Sequence, residues 1–201
     1  MRSGTLGRVR SRTRVGAIVV AALVTVAVTA AGCGSSPSSA VPTTASRPGT
    51  TTPRVPLPAG TFPSAISKMV CGSDARREIA AALGLKAQMI STPTWVNHLY
   101  SCRYQYADGA FTLSVQELSS WAQTFAYFRG LAHNFGNARS LRNLGQGAFS
   151  ETNGSVVVRK DWKVLTVDIT GLPEQFGVPP TGSGDIAVTV ADVILGCWAG
   201  D

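Results

Sequence analysis

Residues 100–118 read "YSCRYQYADGAFTLSVQEL". Successive side chains of an extended strand point to opposite faces, and the alternation here is clean on both sides of Asp108-Gly109. Tyr100, Cys102, Tyr104 and Tyr106 fall on one face, with Ser101, Arg103 and Gln105 on the other. On the return, Phe111, Leu113 and Val115 alternate with Thr112, Ser114 and Gln116. Asp-Gly between two such runs signals a tight hairpin turn. One apolar face backed by a polar one implies an antiparallel sheet covered on a single side.

Working outward from the hairpin, Ser73 is placed to cap a helix running through about Leu83 and stopped by Gly84, with Ile79 and Leu83 on its apolar face. Downstream, a helix is predicted from about Ser120 to Asn134. Trp121, Phe125, Phe128, Ala132 and Phe135 recur there at helical spacing and make one broad stripe. The turn "NLGQGAF", the Asn153-Gly154 turn before "SVVVRK", and "WKVLTVDIT" form a second meander. A last helix is expected from near Asp185, lined by Ile186, Val190, Ile194 and Cys197. The order α-ββ-α-βββ-α implies an α+β domain of two layers: a mainly antiparallel sheet of about five strands with helices on one face.

That domain occupies residues 61–201. Ahead of it, residues 34–60 are rich in Pro, Ser, Thr and Gly, with almost nothing to bury. Together with Cys33 they form a tether, 33–60, whose flexible reach is on the order of 30 Å. Residues 1–32 have the order of a secretory signal: five arginines (Arg2, Arg8, Arg10, Arg12 and Arg14), an apolar run at 15–31, then small residues. Ala31-Gly32-Cys33 resembles the bacterial lipobox, although Ala30 stands where such boxes most often have Leu. Cleavage before Cys33 would leave that residue as a diacylated N-terminus, held in the cell membrane on its extracytoplasmic face.

This partition changes the meaning of the formal charge of +7. Removing the five leader arginines, Arg47 and Arg54 leaves eleven basic and eleven acidic residues from Thr61 onward. A formally neutral domain releases few counterions from a phosphate backbone, so nucleic acid is excluded as a partner.

Across most of residues 64–198, the chain resembles small actinobacterial cell-envelope lipoproteins, many from mycobacteria, with a disulfide-bonded α+β domain. The likeness is carried by Cys33, "VCGSDARREIAAALG", "YSCRYQYADG", "LGQGAF" and "VVVRKDWKVLTVDITG". It implies a fold and a location, and it assigns no reaction to particular residues. Extracytoplasmic thiols oxidise readily. Cys71, before the first helix, and Cys102, on the inner strand face, are the favoured pair, which the resemblance also implies. Cys71–Cys197 stays open, because sequence alone does not settle connectivity. Otherwise Cys197 is read as a buried thiol.

For chemistry, the only histidines are His98 and His133. Neither sits in a nucleophile motif or a metal-ligand cluster, so neither a metal nor a cofactor is expected. "TGSGD" at 181–185 lacks the frame of a nucleophile elbow and the lysine of a phosphate loop. The acids Asp161, Asp168 and Glu174 are scattered. These readings favour a noncatalytic module that binds an apolar small molecule or an envelope protein, with Tyr104, Tyr106, Phe125 and Phe128 as lining of a groove between helix and sheet. The alternatives are an envelope hydrolase using His98 or His133, and an extracytoplasmic sensor or scaffold domain.

Overall fold

The computed structural model describes residues 56–198. The segments read from the sequence as a signal peptide and a tether, with Cys33 between them, lie outside the described residues up to residue 55. Two helices open the domain, α1 (Ala65–Met69) and α2 (Ser73–Leu83). β1 (Met89–Ile90) and β2 (Thr94–Val96) precede the hairpin of β3 (Leu99–Gln105) and β4 (Ala110–Glu117). After α3 (Trp121–Asn134) come β5 (Arg139–Leu141), β6 (Gly147–Ser150), β7 (Val156–Lys160) and β8 (Lys163–Gly171). A two-stranded ribbon of β9 (Gln175–Phe176) and β10 (Thr181–Gly182) leads into α4 (Ser183–Cys197).

The fold is α+β with an antiparallel main sheet. Among the described residues that sheet has eight strands, in the order β1-β3-β4-β8-β7-β6-β5, with β2 also pairing β3. The expectation of about five strands is corrected by β1, β2 and β5. Each has only two or three residues, too few for a period-two pattern to register. The hairpin register is as the alternation implies: Tyr104 faces Phe111, Cys102 faces Leu113 and Tyr100 faces Val115. Its turn differs. Neither Asp108 nor Gly109 has a positive φ, and Tyr106 N donates to Gly109 O at 2.8 Å. Glycine is needed at 109 for space, since a Cβ there would lie 2.7 Å from Gly171 O.

Helices cover both faces of the sheet, which corrects the two-layer expectation. α1, α2 and α4 pack on one face against Tyr104, Phe111, Leu113, Val115, Val156, Val158, Leu165 and Val167. On the other face, Phe128, Leu131 and Ala132 of α3 pack on Phe149, Val157 and Val164. The cause lies in β7, where Val156, Val157 and Val158 are consecutive and all fully buried. An unbroken apolar run needs cover on both sides, at about 1.5–3 kcal/mol of stabilisation for each aliphatic side chain removed from water. Among the described residues, the eight strand pairings and both cores are formed within 56–198.

α2 is capped at its start by Gly72 rather than Ser73, and at its end by Gly84 in the left-handed region with φ 61°. A Cβ on Gly84 would also lie within 2.2 Å of Val178 O, because Val178 N donates to Leu83 O at 2.8 Å and straps the 172–180 loop onto the helix. The other side of α2 is fixed by the Cys71–Cys102 disulfide, with Cα atoms 6.1 Å apart and a sequence separation of 31. Closing a loop of that size stabilises by about 3–4 kcal/mol through the unfolded state. This pairing excludes Cys71–Cys197.

Candidate aromatic–arginine surface

α3 begins at Ser120, whose hydroxyl accepts from Gln123 N at 3.2 Å while Gln123 Oε1 accepts from Ser119 N at 3.1 Å. This reciprocal arrangement resembles a capping box and fixes where the helix starts, and hence where Trp121 points. Only Thr124 of α3 is buried. Trp121, Phe125, Tyr127 and Phe135 are all exposed, so much of the stripe read from the sequence faces outward. Trp121 and Phe125 stack with centroids 5.7 Å apart and planes 19° apart.

Beneath them lies Arg159 of β7, on the same face as Val157. It is only 6% exposed. Its guanidinium carbon sits 4.1 Å from the Trp121 centroid, and 5.9 Å from those of both Phe125 and Phe128. Nη2 donates to Gln146 O at 2.5 Å and Nη1 to Gln146 Oε1 at 3.4 Å, while the buried Nε has no partner. Among the described residues no carboxylate stands within ion-pair distance of Arg159. Burial pushes its pKa down from the usual arginine value, though a guanidinium stays charged in a protein. Aromatic faces and the two carbonyl oxygens of Gln146 thus take the place of a counter-ion.

In sequence, residues 118–150 contain no Asp or Glu. Of the arginines in that stretch, Arg129 stands at this surface, whereas Arg139 lines a cleft with Glu151 and Asp185, and Arg142 one with Asp192. The Arg129 guanidinium lies 5.6 Å from the Phe125 centroid. A domain neutral in sum therefore carries one acid-free, aromatic segment.

The four aromatic residues expected to line one groove are not brought together. Tyr104 and Tyr106 are buried on the α2/α4 face. Tyr104 stacks on Phe111 at 4.9 Å, and Tyr106 meets Phe176 edge-on at 4.9 Å. Phe125 and Phe128 lie across the sheet, with Phe128 5.1 Å from Phe149. The period-two pattern puts β3 tyrosines on one face, and the α3 aromatics belong to the other. The Tyr104 hydroxyl donates to Val70 O at 2.7 Å. That of Tyr106 has no partner, and burial pushes its pKa up to about 12. Surface clefts of 340 to 480 Å³ among the described residues are lined by other residues, on α2, α4 and the strands and turns beside them.

His98 Nδ1 lies 3.1 Å from Gly60 O and its ring meets Trp95 edge-on. His133 is exposed near the end of α3. No serine or cysteine among the described residues is hydrogen-bonded to either, and no group of three metal-ligating side chains is assembled there. Cys197 is not the buried thiol expected: it is half-buried and disulfide-bonded. Among the described residues no helix is long and apolar enough to cross a membrane.

What the sequence reading missed is Arg159 and the outward display of Trp121. The signal was present in "VVVRK", where an arginine occupies the same face as Val157 in a strand apolar on both sides. Comparison with protein-family models, curated proteins and solved structures finds no match to this chain. Fold and site together define an α+β domain with helices on both sheet faces and an aromatic–arginine surface on one of them.

Proposed function

We propose that the chain is a noncatalytic binding module, anchored in the cell membrane through acyl chains on Cys33, with the outer face of α3 as its binding surface. The observation that carries this reading is the Trp121–Phe125 pair over Arg159. Trp, Tyr and Arg dominate the energetics of binding surfaces, and a buried cation without a carboxylate is costly to keep for stability alone. The resemblance to actinobacterial envelope lipoproteins supports the location and supplies no reaction.

A photo-crosslinking residue at position 125, compared with one at position 77 on α2, tests the surface. Adducts formed in intact cells at 125 and absent at 77 support it; equal or absent adducts at both refute it. The anchor is tested separately with Cys33→Ala, which releases the protein from the membrane fraction if acylation holds it there. Acylation consumes the Cys33 sulfur as a thioether, which removes it from disulfide chemistry. The intact mass of the processed chain therefore distinguishes a diacylglyceryl group from a cystine.

A further inference from the structure

The chain enters the fold beside the start of α3. Ala59 N donates to Leu118 O at 3.1 Å, two residues before the Ser120 cap. The next residues are tied to the same end of the sheet. Gly60 O faces His98, Thr61 O accepts from Trp95 Nε1 at 2.9 Å, and Ser64 N donates to Glu117 Oε1 at 2.8 Å. This short segment carries two of the most exposed large apolar side chains among the described residues, Leu57 at 65% and Phe62 at 78%. Val96, on the adjoining β2, is 61% exposed, and Trp121 and Phe125 lie just past Leu118.

The charges at this end favour an anionic partner. Arg129 and Arg159 stand with the aromatic pair. The Glu117 carboxylate is turned inward, where Oε1 also accepts from the Ser67 hydroxyl at 2.5 Å. Asp161, at the β7–β8 turn, faces Gln146 Nε2 at 3.5 Å. Lys160 is turned to the opposite face, where its Nζ donates to Trp198 O at 2.6 Å, so the cation displayed beside the aromatic pair is Arg129.

We infer that this end of the domain is a docking surface for an anionic phospholipid bilayer. The inference rests on the reading of the α3 face as the binding surface and names its occupant. Exposed aromatic and aliphatic side chains flanked by arginine suit the headgroup boundary, with rings at the interface and cations on phosphate. The geometry of the chain favours a bilayer over an acidic protein. Leu57 and Phe62 sit near the start of the described chain, on the segment that leads back toward Cys33, so an anchor at Cys33 would approach the domain from this end.

The test uses a chain beginning at Gly34, which contains the whole domain and lacks Cys33, with Cys197→Ser so that no odd thiol remains. Its partition onto vesicles of phosphatidylcholine is compared with partition onto an equal mixture of phosphatidylcholine and phosphatidylglycerol. The expected result is binding to the mixed vesicles that falls with added salt. Phe62→Ser, or Trp121→Ala with Phe125→Ala, weakens it about tenfold or more, as expected for withdrawing one or two buried apolar side chains. Arg129→Glu weakens binding to the mixed vesicles alone. No partition onto either vesicle, or partition indifferent to all these substitutions, overturns the inference. Because this chain carries no Cys33, failed acylation leaves the result unchanged. Crosslinks from position 125 to a protein, together with no vesicle binding, would keep the binding surface and reject the bilayer.

Discussion

Removing either member of the Trp121–Arg159 stack should cost stability that the double variant recovers in part. A guanidinium over an aromatic face contributes about 0.5–1 kcal/mol when exposed and about 2 kcal/mol when desolvated. Arg159 is nearly buried whereas Trp121 is half exposed, so solvent reaches one side of the pair and the interaction falls between those limits. Phe125 and Phe128, each with a centroid 5.9 Å from the guanidinium carbon, are near the distance where the attraction fades. A coupling energy of about 1–1.5 kcal/mol follows for the cycle Trp121→Ala, Arg159→Met and their combination. Arg159→Met alone should change stability by less than about 1 kcal/mol. It loses the Gln146 hydrogen bond and the stacking, but relieves a buried charge and an unpartnered Nε. Urea unfolding at neutral pH, with the disulfide intact and circular dichroism as the probe, measures all four proteins. A coupling below about 0.3 kcal/mol, within the usual scatter of additive pairs, would refute the stack as an energetic unit.

The two buried tyrosines should respond in opposite directions. Tyr104→Phe strands Val70 O and costs about 1–2 kcal/mol, whereas Tyr106→Phe removes a buried hydroxyl without a partner and is neutral or stabilising. Thermal melts of the pair check this. Alkali should destabilise the domain, because burial raises the Tyr106 pKa from 10 to about 12. Its contribution is intact below pH 10 and is lost as pH rises from 10 toward 12, by about 2–3 kcal/mol across that window. Unfolding curves from pH 8 to 12 should show the decline, and Tyr106→Phe should lessen it, the remainder coming from Tyr104, whose pKa burial raises further. Replacing Cys71 and Cys102 together by alanine should lower the unfolding free energy by about 3–4 kcal/mol, and a loss below about 1 kcal/mol in urea would show that the loop is already constrained.

The central hairpin was legible because strict alternation over eight positions admits one register, and Cys102 carries its disulfide partner with it. α2, α3 and α4 were legible from helical spacing, within a residue or two at their ends. The second covered face was not. "SVVVRK" and "WKVLTV" contain the runs that require it, but a short apolar run looks alike in a half-covered strand with one stray residue and in a strand buried twice. The groove failed for a related reason. Aromatics at strand spacing and at helix spacing were assigned to one space, while the pleat put Tyr104 and the α3 stripe on opposite sides of the sheet. Arg159 was hidden by its type, since charged residues in strands are ordinarily placed in solvent, and its stack with Trp121 joins positions 38 residues apart.

Hydrogen exchange on the chain, compared between proteoliposomes containing phosphatidylglycerol and the same chain in a nonionic detergent, tests the central claim most directly. Slowed exchange confined to residues 57–62 and 119–135 is the expected result, with α2 and α4 unchanged. Equal exchange in both settings, or protection centred on α2, would contradict it.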